Sequence, residues 1–354
     1  MPQLNEERAE AFADRLVTMI DDSSLALLTS VGHRTGLFEV LAKGDWSTSE
    51  EVARASALDE RYVREWLGGM VVGGIAEYSP ETRRYRLPPE HAAFMTSAAG
   101  PDDLAFFTRY LSLMGAIEPE IVRVFREGGG VPYSAYPTFQ GLQRRETARV
   151  FDAALVDTIL PLAPDLVERL EGGIDAVDIG TGGGHAVNLM ARAFPRSRFL
   201  GVDISEEGIG VGRAEAQDWG LSNARFDVDD AASLTGRFDL VTAFDTVHDQ
   251  AEPTKLLRSI ADALADDGMF LMADIAFSSD LEDNIGNAFA PTVFAFSVFH
   301  CLTVSLAYGG EGLGTAWGEQ RARSMLAAAG FGDVDAKQVE GDPLNIYYIA
   351  RRTT

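Results

Sequence analysis

The chain has 354 residues, of which 46% are hydrophobic and 24% charged, and its formal net charge is −24. This length accommodates two globular domains, while the negative charge disfavours nucleic acid and anionic membranes, whose phosphates bind Lys and Arg. The single cysteine, Cys301, excludes an intramolecular disulfide and fits a reducing compartment, and the polar N-terminus resembles no targeting peptide, so we expect a cytoplasmic protein.

The N-terminal part is predicted to be helical. Apolar residues recur at helical spacing over residues 5–22, and a second helix is predicted over residues 25–31. Ser47 or Thr48 can cap a third helix that ends near Ala55.

A further helix and a hairpin complete this part. Asp59 or Glu60 can begin the helix, and Gly73 follows its last turn. Short strands are expected at 75–78 and 84–87, on either side of a Ser-Pro-Glu-Thr turn. This order of helices and hairpin is typical of a winged helix.

A winged helix suggests DNA binding, but the charges oppose it. Residues 45–90 contain nine acidic and six basic residues. The helix that would enter a groove carries Arg61 and Arg64 together with three acids, which makes a poor phosphate-binding surface. We therefore predict that residues 1–98 form a packing or dimerisation domain.

Residues 99–172 are predicted to be a helical connector. It is interrupted by a loop, Gly128–Phe139, that contains Tyr133 and Tyr136. Such a loop can act as a lid over an apolar pocket, or it can be a plain connector whose aromatic residues pack on a neighbour.

One apolar segment has the length of a membrane-spanning helix. Residues 286–306 carry no Lys, Arg, Asp or Glu. Asn287, Pro291 and His300 interrupt it, and no Lys/Arg cluster flanks it. We predict a buried helix in a pocket or an interface rather than a membrane span.

Residues 173–354 alternate between strand and helix patterns. This alternation predicts an α/β fold with a Rossmann-like, doubly wound sheet. Strands are expected at 174–179, 198–203, 224–228, 238–244 and 268–275, with helices at 184–193, 206–219, 252–266 and 317–329. Two further strands near the C-terminus should form an antiparallel hairpin at the sheet edge, which gives seven strands.

The strongest motif is a glycine-rich turn after the first of these strands. Gly180, Gly182 and Gly184 lead into a helix, and glycine permits a tight turn and close approach to a ligand. Nucleotide-binding folds share such turns. Two features oppose a dinucleotide site: Asp178 would repel a pyrophosphate, and His185 stands where the third glycine of G-x-G-x-x-G belongs.

Acidic residues end the next two strands. Asp203, followed by Ile204, can accept hydrogen bonds from ribose hydroxyls. Asp229 or Asp230 can accept one from an adenine amino group, and we favour Asp230 because the small residue Ala231 follows it. In open α/β sheets, ligands bind at these carboxyl ends.

With these motifs, residues 175–351 resemble the class I S-adenosylmethionine-dependent methyltransferases. The resemblance rests on D-x-G-x-G-G-G, the acid at Asp203, Asp230–Ala231, FDLV in the fourth strand and AGF before the hairpin. The whole chain resembles two-domain small-molecule O-methyltransferases, including an actinobacterial group with the strings GGGVPYSAYP, HDQAEP and GGEGLGTAWG. The resemblance implies S-adenosylmethionine as cofactor, a homodimer, and a cofactor site made of Asp178, Gly180, Thr181, Gly182, Gly184, His185, Asp203, Ile204, Asp229, Asp230, Ala231, Phe244 and Asp245.

The resemblance also places the catalytic base at His248. Plant-type O-methyltransferases have His-Asp-Trp here, and this chain has His248-Asp249-Gln250. Imidazole titrates near neutrality and suits a general base, and the resemblance suggests Asp274 as its orienting acid. No metal-ligand spacing is present, so we predict no metal site.

An aromatic insertion before the last helix predicts a small, apolar or aromatic acceptor. The candidate substrate residues are Tyr133, Tyr136, Phe294, Phe299, His300 and Trp317. Methylation of a hydroxyl is the leading hypothesis. N-, S- or C-methylation, with His248 only shaping the pocket, and a cofactor-binding regulator without methyl transfer remain open alternatives.

Overall fold

The computed structural model describes residues 4–136, 138–339 and 342–353. Two compact units divide the chain, Met1–Ala116 and Ile117–Thr354. The domain boundaries predicted at residues 98 and 172 remain predictions.

The first unit is mainly helical. Its helices are α1 (Glu6–Thr35), α2 (Leu37–Leu41), α3 (Ser49–Ser56), α4 (Glu60–Val72) and α5 (Pro89–Ala92), and α6 (Thr108–Glu127) begins in it. Strands β1 (Glu77–Ser79) and β2 (Arg84–Arg86) pair antiparallel as the predicted hairpin. Phe38, Trp66 and Met70 belong to its buried core.

One prediction for this unit is wrong. The two helices expected before residue 32 are a single 30-residue helix, α1. No glycine or proline interrupts residues 21–25, and the hydroxyls of Ser23 and Ser24 donate to the carbonyls of Met19 and Ile20 within the helix. Polar residues there mark an exposed helix face rather than a helix end.

The predicted caps of the next two helices are confirmed. Thr48 and Glu51 form a reciprocal capping box at α3, and the Asp59 carboxylate accepts from two backbone N–H groups at the start of α4. On α4, Arg61 pairs with Glu65 and Arg64 pairs with Glu60. The basic side chains of this helix therefore already have acidic neighbours on the same face.

The second unit contains the sheet. Its strands are β3 (Asp175–Ile179), β4 (Arg198–Asp203), β5 (Ala224–Val228), β6 (Phe238–Phe244), β7 (Leu264–Ile275), β8 (Phe331–Val339) and β9 (Asp342–Arg352). Its helices are α7 (Phe139–Ala154), α8 (Leu166–Gly172), α9 (His185–Ala193), α10 (Glu206–Asp218), α11 (Pro253–Ala263), α12 (Ala290–Phe296), α13 (Leu302–Ala307) and α14 (Gly318–Ala328). Strand β7 begins four residues earlier than predicted because Leu264 already pairs with Phe238.

The seven strands follow the order β5-β4-β3-β6-β7-β9-β8. Five strands are parallel, and β9 and β8 form the predicted antiparallel hairpin at the edge. After β3 the chain moves towards β4, and after β5 it returns to place β6 on the other side of β3. The carboxyl ends of β3 and β6 thus flank the point where the strand order reverses, which is where such sheets bind ligands.

Each face of the sheet has its own apolar core. Met269 and Tyr347 point to one face, and their neighbours Phe270 and Tyr348 point to the other. All four side chains are buried. Strands covered on both faces need nearly continuous apolar runs, as β7 has over residues 269–273.

The apolar segment considered above forms a helical run from α12 through a π-helical stretch, Ser297–Cys301, into α13. Ala290–Ala307 is long and apolar enough to cross a membrane, with a mean hydropathy of 1.6 over its 18 residues. Within the protein, 44% of this stretch is buried. A single stretch of this kind is weak evidence for a membrane span, because core helices of soluble proteins share its length and composition.

Candidate active site

The turn between β3 and α9 depends on glycine. Gly180, Gly182 and Gly184 have φ angles of +63°, +53° and +69°, a region that L side chains rarely adopt. A side chain at Gly180 would collide with Thr246, whereas one at Gly182 would meet no atom within 4 Å. The turn is therefore packed on the β6 side and open at Gly182.

Asp178 lies buried at the end of β3. The hydroxyl of Thr242, on β6, donates to its Oδ1 at 2.6 Å. Burial raises the pKa of this carboxyl to about 6. A buried carboxylate with this pKa is stabilised by a cation, which suits the predicted contact with an ammonium group.

Asp203 connects the end of β4 to the glycine turn. Its Oδ2 accepts from the N–H of Gly182 at 2.8 Å, and its Oδ1 accepts from Ser205 N–H at 2.8 Å. Burial raises the pKa of Asp203. The next residue, Ile204, is 63% exposed. A carboxylate beside an exposed aliphatic side chain can bind a ribose and the flat face of a base.

Asp229 and Asp230 follow β5 and are exposed. Asp229 N–H donates to the Asp203 carbonyl, which ties the ends of β4 and β5 together. The Asp230 carboxylate accepts from Ala232 N–H at 2.9 Å, while Asp229 accepts from Asp230 N–H at 2.8 Å. Ala231 is buried. Both carboxylates keep acceptor capacity for an adenine amino group.

His185 occupies a different environment from the one expected of a cofactor ligand. Its Nδ1 bonds to Glu215 on α10 at 3.0 Å, and its Nε2 bonds to Asp152 on α7 at 3.0 Å. Burial lowers the pKa of His185, but the two carboxylates outweigh burial and raise it. Glu215 has its pKa lowered to about 2: burial opposes this, and His185 and Asn188 cause it. Both ring nitrogens are occupied, so the imidazole joins three helices and has no nitrogen left for a cofactor.

Asp245 follows β6 in a strained conformation. Its φ angle is +50°, which is uncommon for a residue other than glycine. Its N–H donates to the Ala273 carbonyl on β7, while its Oδ1 is buried without a hydrogen-bond partner. Burial raises the pKa of Asp245 to about 8. The preceding Phe244 packs edge-on against Phe151, with ring centroids 4.8 Å apart.

His248 and Asp274 form a buried pair next to this edge of the sheet. His248 Nδ1 lies 2.9 Å from Asp274 Oδ1. The same oxygen accepts from the indole N–H of Trp317 at 2.9 Å and from Ile275 N–H at 2.8 Å. The carboxylate is thereby fixed in one orientation, and it fixes the imidazole.

The electrostatics favour the charged form of this imidazole. Burial alone lowers the pKa of His248, but the Asp274 carboxylate outweighs it, and the Cys301 thiol adds to the effect, so the pKa is held well above its ordinary value. The Cys301 thiol is the other hydrogen-bonding neighbour of this imidazole besides Asp274. A thiol is a weak hydrogen-bond partner, which a ligand can displace.

The loop that contains Tyr133 and Tyr136 contacts the segment around His248. The Tyr133 hydroxyl donates to Asp249 Oδ2 at 2.7 Å. Val131 N–H donates to the Thr303 carbonyl, and a side chain at Gly130 would collide with that carbonyl. The loop is thus docked on α13 by its backbone. Whether it opens as a lid stays a prediction, and Pro137 lies outside the described residues.

His300 lies among the aromatic residues of this loop. Phe139 stacks on its imidazole with a centroid distance of 3.7 Å, and Tyr133 and Tyr136 pack edge-on at 5.4 and 5.0 Å. Burial, followed by the charge of His248, lowers the pKa of His300 to about 3. This imidazole is neutral, and its buried Nε2 has no hydrogen-bond partner.

The other predicted substrate residues are more dispersed. Phe299 receives the Tyr136 hydroxyl on its carbonyl at 2.6 Å, and Phe294 packs on Phe277 and is 39% exposed. Trp317 is buried and uses its indole N–H on Asp274. Among the described residues, no group of three or more His, Cys, Asp or Glu side chains is arranged to hold a metal ion.

Several buried polar atoms around this edge lack partners. They are the side-chain oxygens Thr181 Oγ1, Asp245 Oδ1, Asp249 Oδ1, Asp274 Oδ2 and Thr315 Oγ1 and the nitrogen His300 Nε2. Buried polar atoms are normally hydrogen-bonded, so a concentration of unpaired ones indicates that a polar ligand binds here. Together with the open side of the turn at Gly182, these residues fit a nucleoside cofactor with a cationic tail.

The sheet order, the glycine turn and the acids at the strand ends define a class I S-adenosylmethionine-dependent methyltransferase domain. A family model described as a methyltransferase domain matches residues 170–330. Residues 23–97 match a second model, the Rv2258c-like winged HTH domain. The chain therefore combines an Rv2258c-like winged helix-turn-helix domain with an S-adenosylmethionine-dependent methyltransferase domain.

Relatives agree with this assignment. The chain is 35% identical over 101 residues to the uncharacterized methyltransferase YcgJ of Bacillus subtilis, a match that covers 28% of this chain and 39% of that protein. The chain spans about two fifths of the length of the curated relatives it matches. The structure is also similar to mitomycin 7-O-methyltransferase MmcR (TM-score 0.74, 18% identity, 98% and 100% of the two chains covered). A second similar structure is human N-acetylserotonin methyltransferase in complex with S-adenosylmethionine (TM-score 0.71, 17% identity, 97% and 98% of the two chains covered).

Sequence reasoning missed two groups of residues. Thr242, which holds Asp178, was signalled by its polarity within the apolar strand FDLVTAF. Asp152 and Glu215 form hydrogen bonds with the two ring nitrogens of His185. They lie 33 and 30 residues away from it along the chain, and no local sequence pattern relates them.

Proposed function

We propose that this protein transfers a methyl group from S-adenosylmethionine to a hydroxyl group of a small apolar or aromatic molecule, with His248 as the general base. The observation that carries the proposal is the buried His248–Asp274 pair, fixed by Trp317 and located beside the carboxyl end of β6. A base is useful for a hydroxyl, which gains nucleophilicity as its proton leaves.

When bound, S-adenosylmethionine supplies a methyl group on a positively charged sulfur, which is already activated for transfer. Asp178 binds its ammonium, Asp203 its ribose and Asp230 its adenine. In its neutral form, His248 would accept the hydroxyl proton on Nε2, while Asp274 would keep Nδ1 protonated and stabilise the imidazolium that forms. Alignment of the acceptor by the surrounding walls accounts for most of the remaining rate.

The walls favour an acceptor with aromatic surface and hydrogen-bond donors. Tyr133, Tyr136 and Phe139 provide the aromatic surface around His300. The unpaired oxygens of Asp249 and Asp274 require donors rather than acceptors.

The test is a methyl-transfer assay with labelled S-adenosylmethionine and a panel of phenols and hydroxylated heteroaromatics, each paired with its analogue that lacks the hydroxyl or carries an amine instead. We expect methylation of hydroxyl compounds alone, and loss of it in His248→Asn with cofactor binding retained. Methylation of the amines that persists in His248→Asn would instead support N-methylation, with His248 only shaping the pocket.

We also propose a homodimer in which α1 contributes to the interface. Its side chains Phe12, Leu16, Met19, Ile20, Leu27 and Val31 form an exposed apolar stripe at helical spacing. Sedimentation of the full chain should give a dimer, and Phe12→Asp with Ile20→Asp should give a monomer. A monomeric unsubstituted chain would contradict the proposal.

The winged helix is proposed to pack rather than to bind DNA. The arginines of α4 pair with acids of the same helix, which leaves few charges for phosphates. A sequence-selective DNA complex that survives physiological salt would support a regulator instead.

A further inference from the structure

Asp245 has no assigned role in the mechanism above, yet its environment is unusual. It adopts a φ angle of +50°, and residues held in such conformations concentrate at functional sites. Its carboxylate has one oxygen buried without a partner, although exposed positions lie nearby on the same edge. A buried carboxylate oxygen without a hydrogen-bond partner costs free energy, and we expect a bound ligand to offset that cost.

The position of Asp245 indicates which part of a bound ligand would contact it. Asp245 directly follows β6, at the reversal of the strand order, and the next residue, Thr246, packs on Gly180 of the cofactor turn. Asp178, at the end of the neighbouring strand β3, is bound by Thr242 of β6. Asp245 therefore lies at the same sheet edge as Asp178 and the cofactor turn, three residues before His248.

The charges around Asp245 are mainly negative. Asp274 on β7, Glu146 on α7 and Asp342 on β9 disfavour its ionised form, whereas His248 favours it. Without a ligand, Asp245 consequently keeps its proton up to about pH 8. A cation that arrives beside it would remove this penalty and release the proton.

We propose that the Asp245 carboxylate is the counter-ion of the cofactor's sulfonium, and that the protein distinguishes S-adenosylmethionine from S-adenosylhomocysteine through the charge of this residue. Both ligands carry the same ammonium, carboxylate, ribose and adenine, so Asp178 and Asp203 serve both alike. Only the charge on sulfur differs. Asp245 is ionised when the sulfur is positive, and it takes up a proton from solvent once the methyl has left and the sulfur is neutral.

This inference rests on the proposed cofactor, and calorimetry tests the two separately. The full chain is titrated at pH 7 with each ligand in phosphate and in Tris, whose different ionisation enthalpies reveal the number of protons exchanged. We expect about one proton released on binding of S-adenosylmethionine and about none with S-adenosylhomocysteine, as a pKa of about 8 requires. The ratio of the two affinities should rise with pH up to about 8 and then level off.

Asp245→Asn is the informative variant, because Asn tolerates a positive φ angle. It should abolish the excess proton release and reduce the preference for S-adenosylmethionine roughly tenfold, the equivalent of about one pKa unit, with little effect on S-adenosylhomocysteine. Asp227→Asn, which removes an exposed acid on β5, is the matched control. Equal proton release by both ligands, or an equal loss of both affinities in Asp245→Asn, would overturn this inference and leave the proposed function intact. Failure of both ligands to bind would overturn both.

Discussion

His185 and His248 both lie near the cofactor edge and both bond to carboxylates, but their hydrogen-bond arrangements suit different roles. His185 has both ring nitrogens bound to carboxylates, from α7 and α10. His248 has one nitrogen bound to a carboxylate, and its other hydrogen-bonding neighbour is the thiol of Cys301, a weak partner. The first arrangement uses both nitrogens of the imidazole to join helices. The second orients the imidazole, whose neutral form can accept a proton. A carboxylate partner alone therefore does not mark a catalytic histidine.

The largest effect is expected at His248. His248→Asn should lower kcat by roughly 10²- to 10⁴-fold, the usual contribution of a general base, and leave the Kd for S-adenosylmethionine unchanged. Single-turnover assays and calorimetry measure the two quantities. His91→Gln, at an exposed histidine of the first unit, is the control. An unchanged kcat in His248→Asn would remove the base from the mechanism.

Substitution of Asp274 should lower kcat less than substitution of His248, and it should also change the pH dependence of kcat. Because its charge raises the pKa of His248, the rate should rise with pH through an inflection above 6.5 as the imidazole loses its proton. Asp274→Asn should lower kcat about 10- to 100-fold and move this inflection to lower pH. The pH profile of kcat separates this role from a structural one, which would lower the rate without moving the inflection.

The His185 cluster should affect stability rather than catalysis. His185→Gln leaves the mostly buried Glu215 carboxylate without its imidazole partner and should cost about 1 to 3 kcal/mol of the free energy of unfolding. The raised pKa of His185 means that its contribution is complete below about pH 6.5 and is lost as pH rises through the raised value. The lowered pKa of Glu215 means that its contribution is present above its unfolded pKa and is lost as pH falls towards about 2. Denaturant unfolding at pH 6 and pH 9 should show a smaller difference between the two pH values in the variant than in the unsubstituted chain.

Tyr133→Phe should produce the smallest change. It removes one hydrogen bond, from the loop to Asp249, worth about 1 kcal/mol. We expect KM for the acceptor to rise a few-fold while kcat and the cofactor Kd stay within about twofold. A large fall in kcat with unchanged KM would instead assign Tyr133 to the chemistry itself.

The contrast between the histidines also shows what the sequence could predict. The order of strands, the glycine turn and the acids at the strand ends follow from local patterns, because periodicity and glycine placement are written in contiguous residues. The partners of His185 come from two other helices, so no local pattern contains them. Residues 21–24 of α1 are polar, and their sequence alone does not distinguish a helix end from an exposed helix face. The position of Asp274 was available only through the family resemblance. Its bond to Trp317, 43 residues away, required the structure.

The central claim is tested most directly by calorimetric titration of the full chain with S-adenosylmethionine and S-adenosylhomocysteine, with NADH as comparison. The account predicts micromolar or tighter binding of both adenosyl ligands, no binding of NADH, and loss of both in Asp203→Ala, because that carboxylate is held by the glycine turn at Gly182. Absence of adenosyl binding, or binding that survives Asp203→Ala unchanged, would contradict the cofactor site and with it the role of His248.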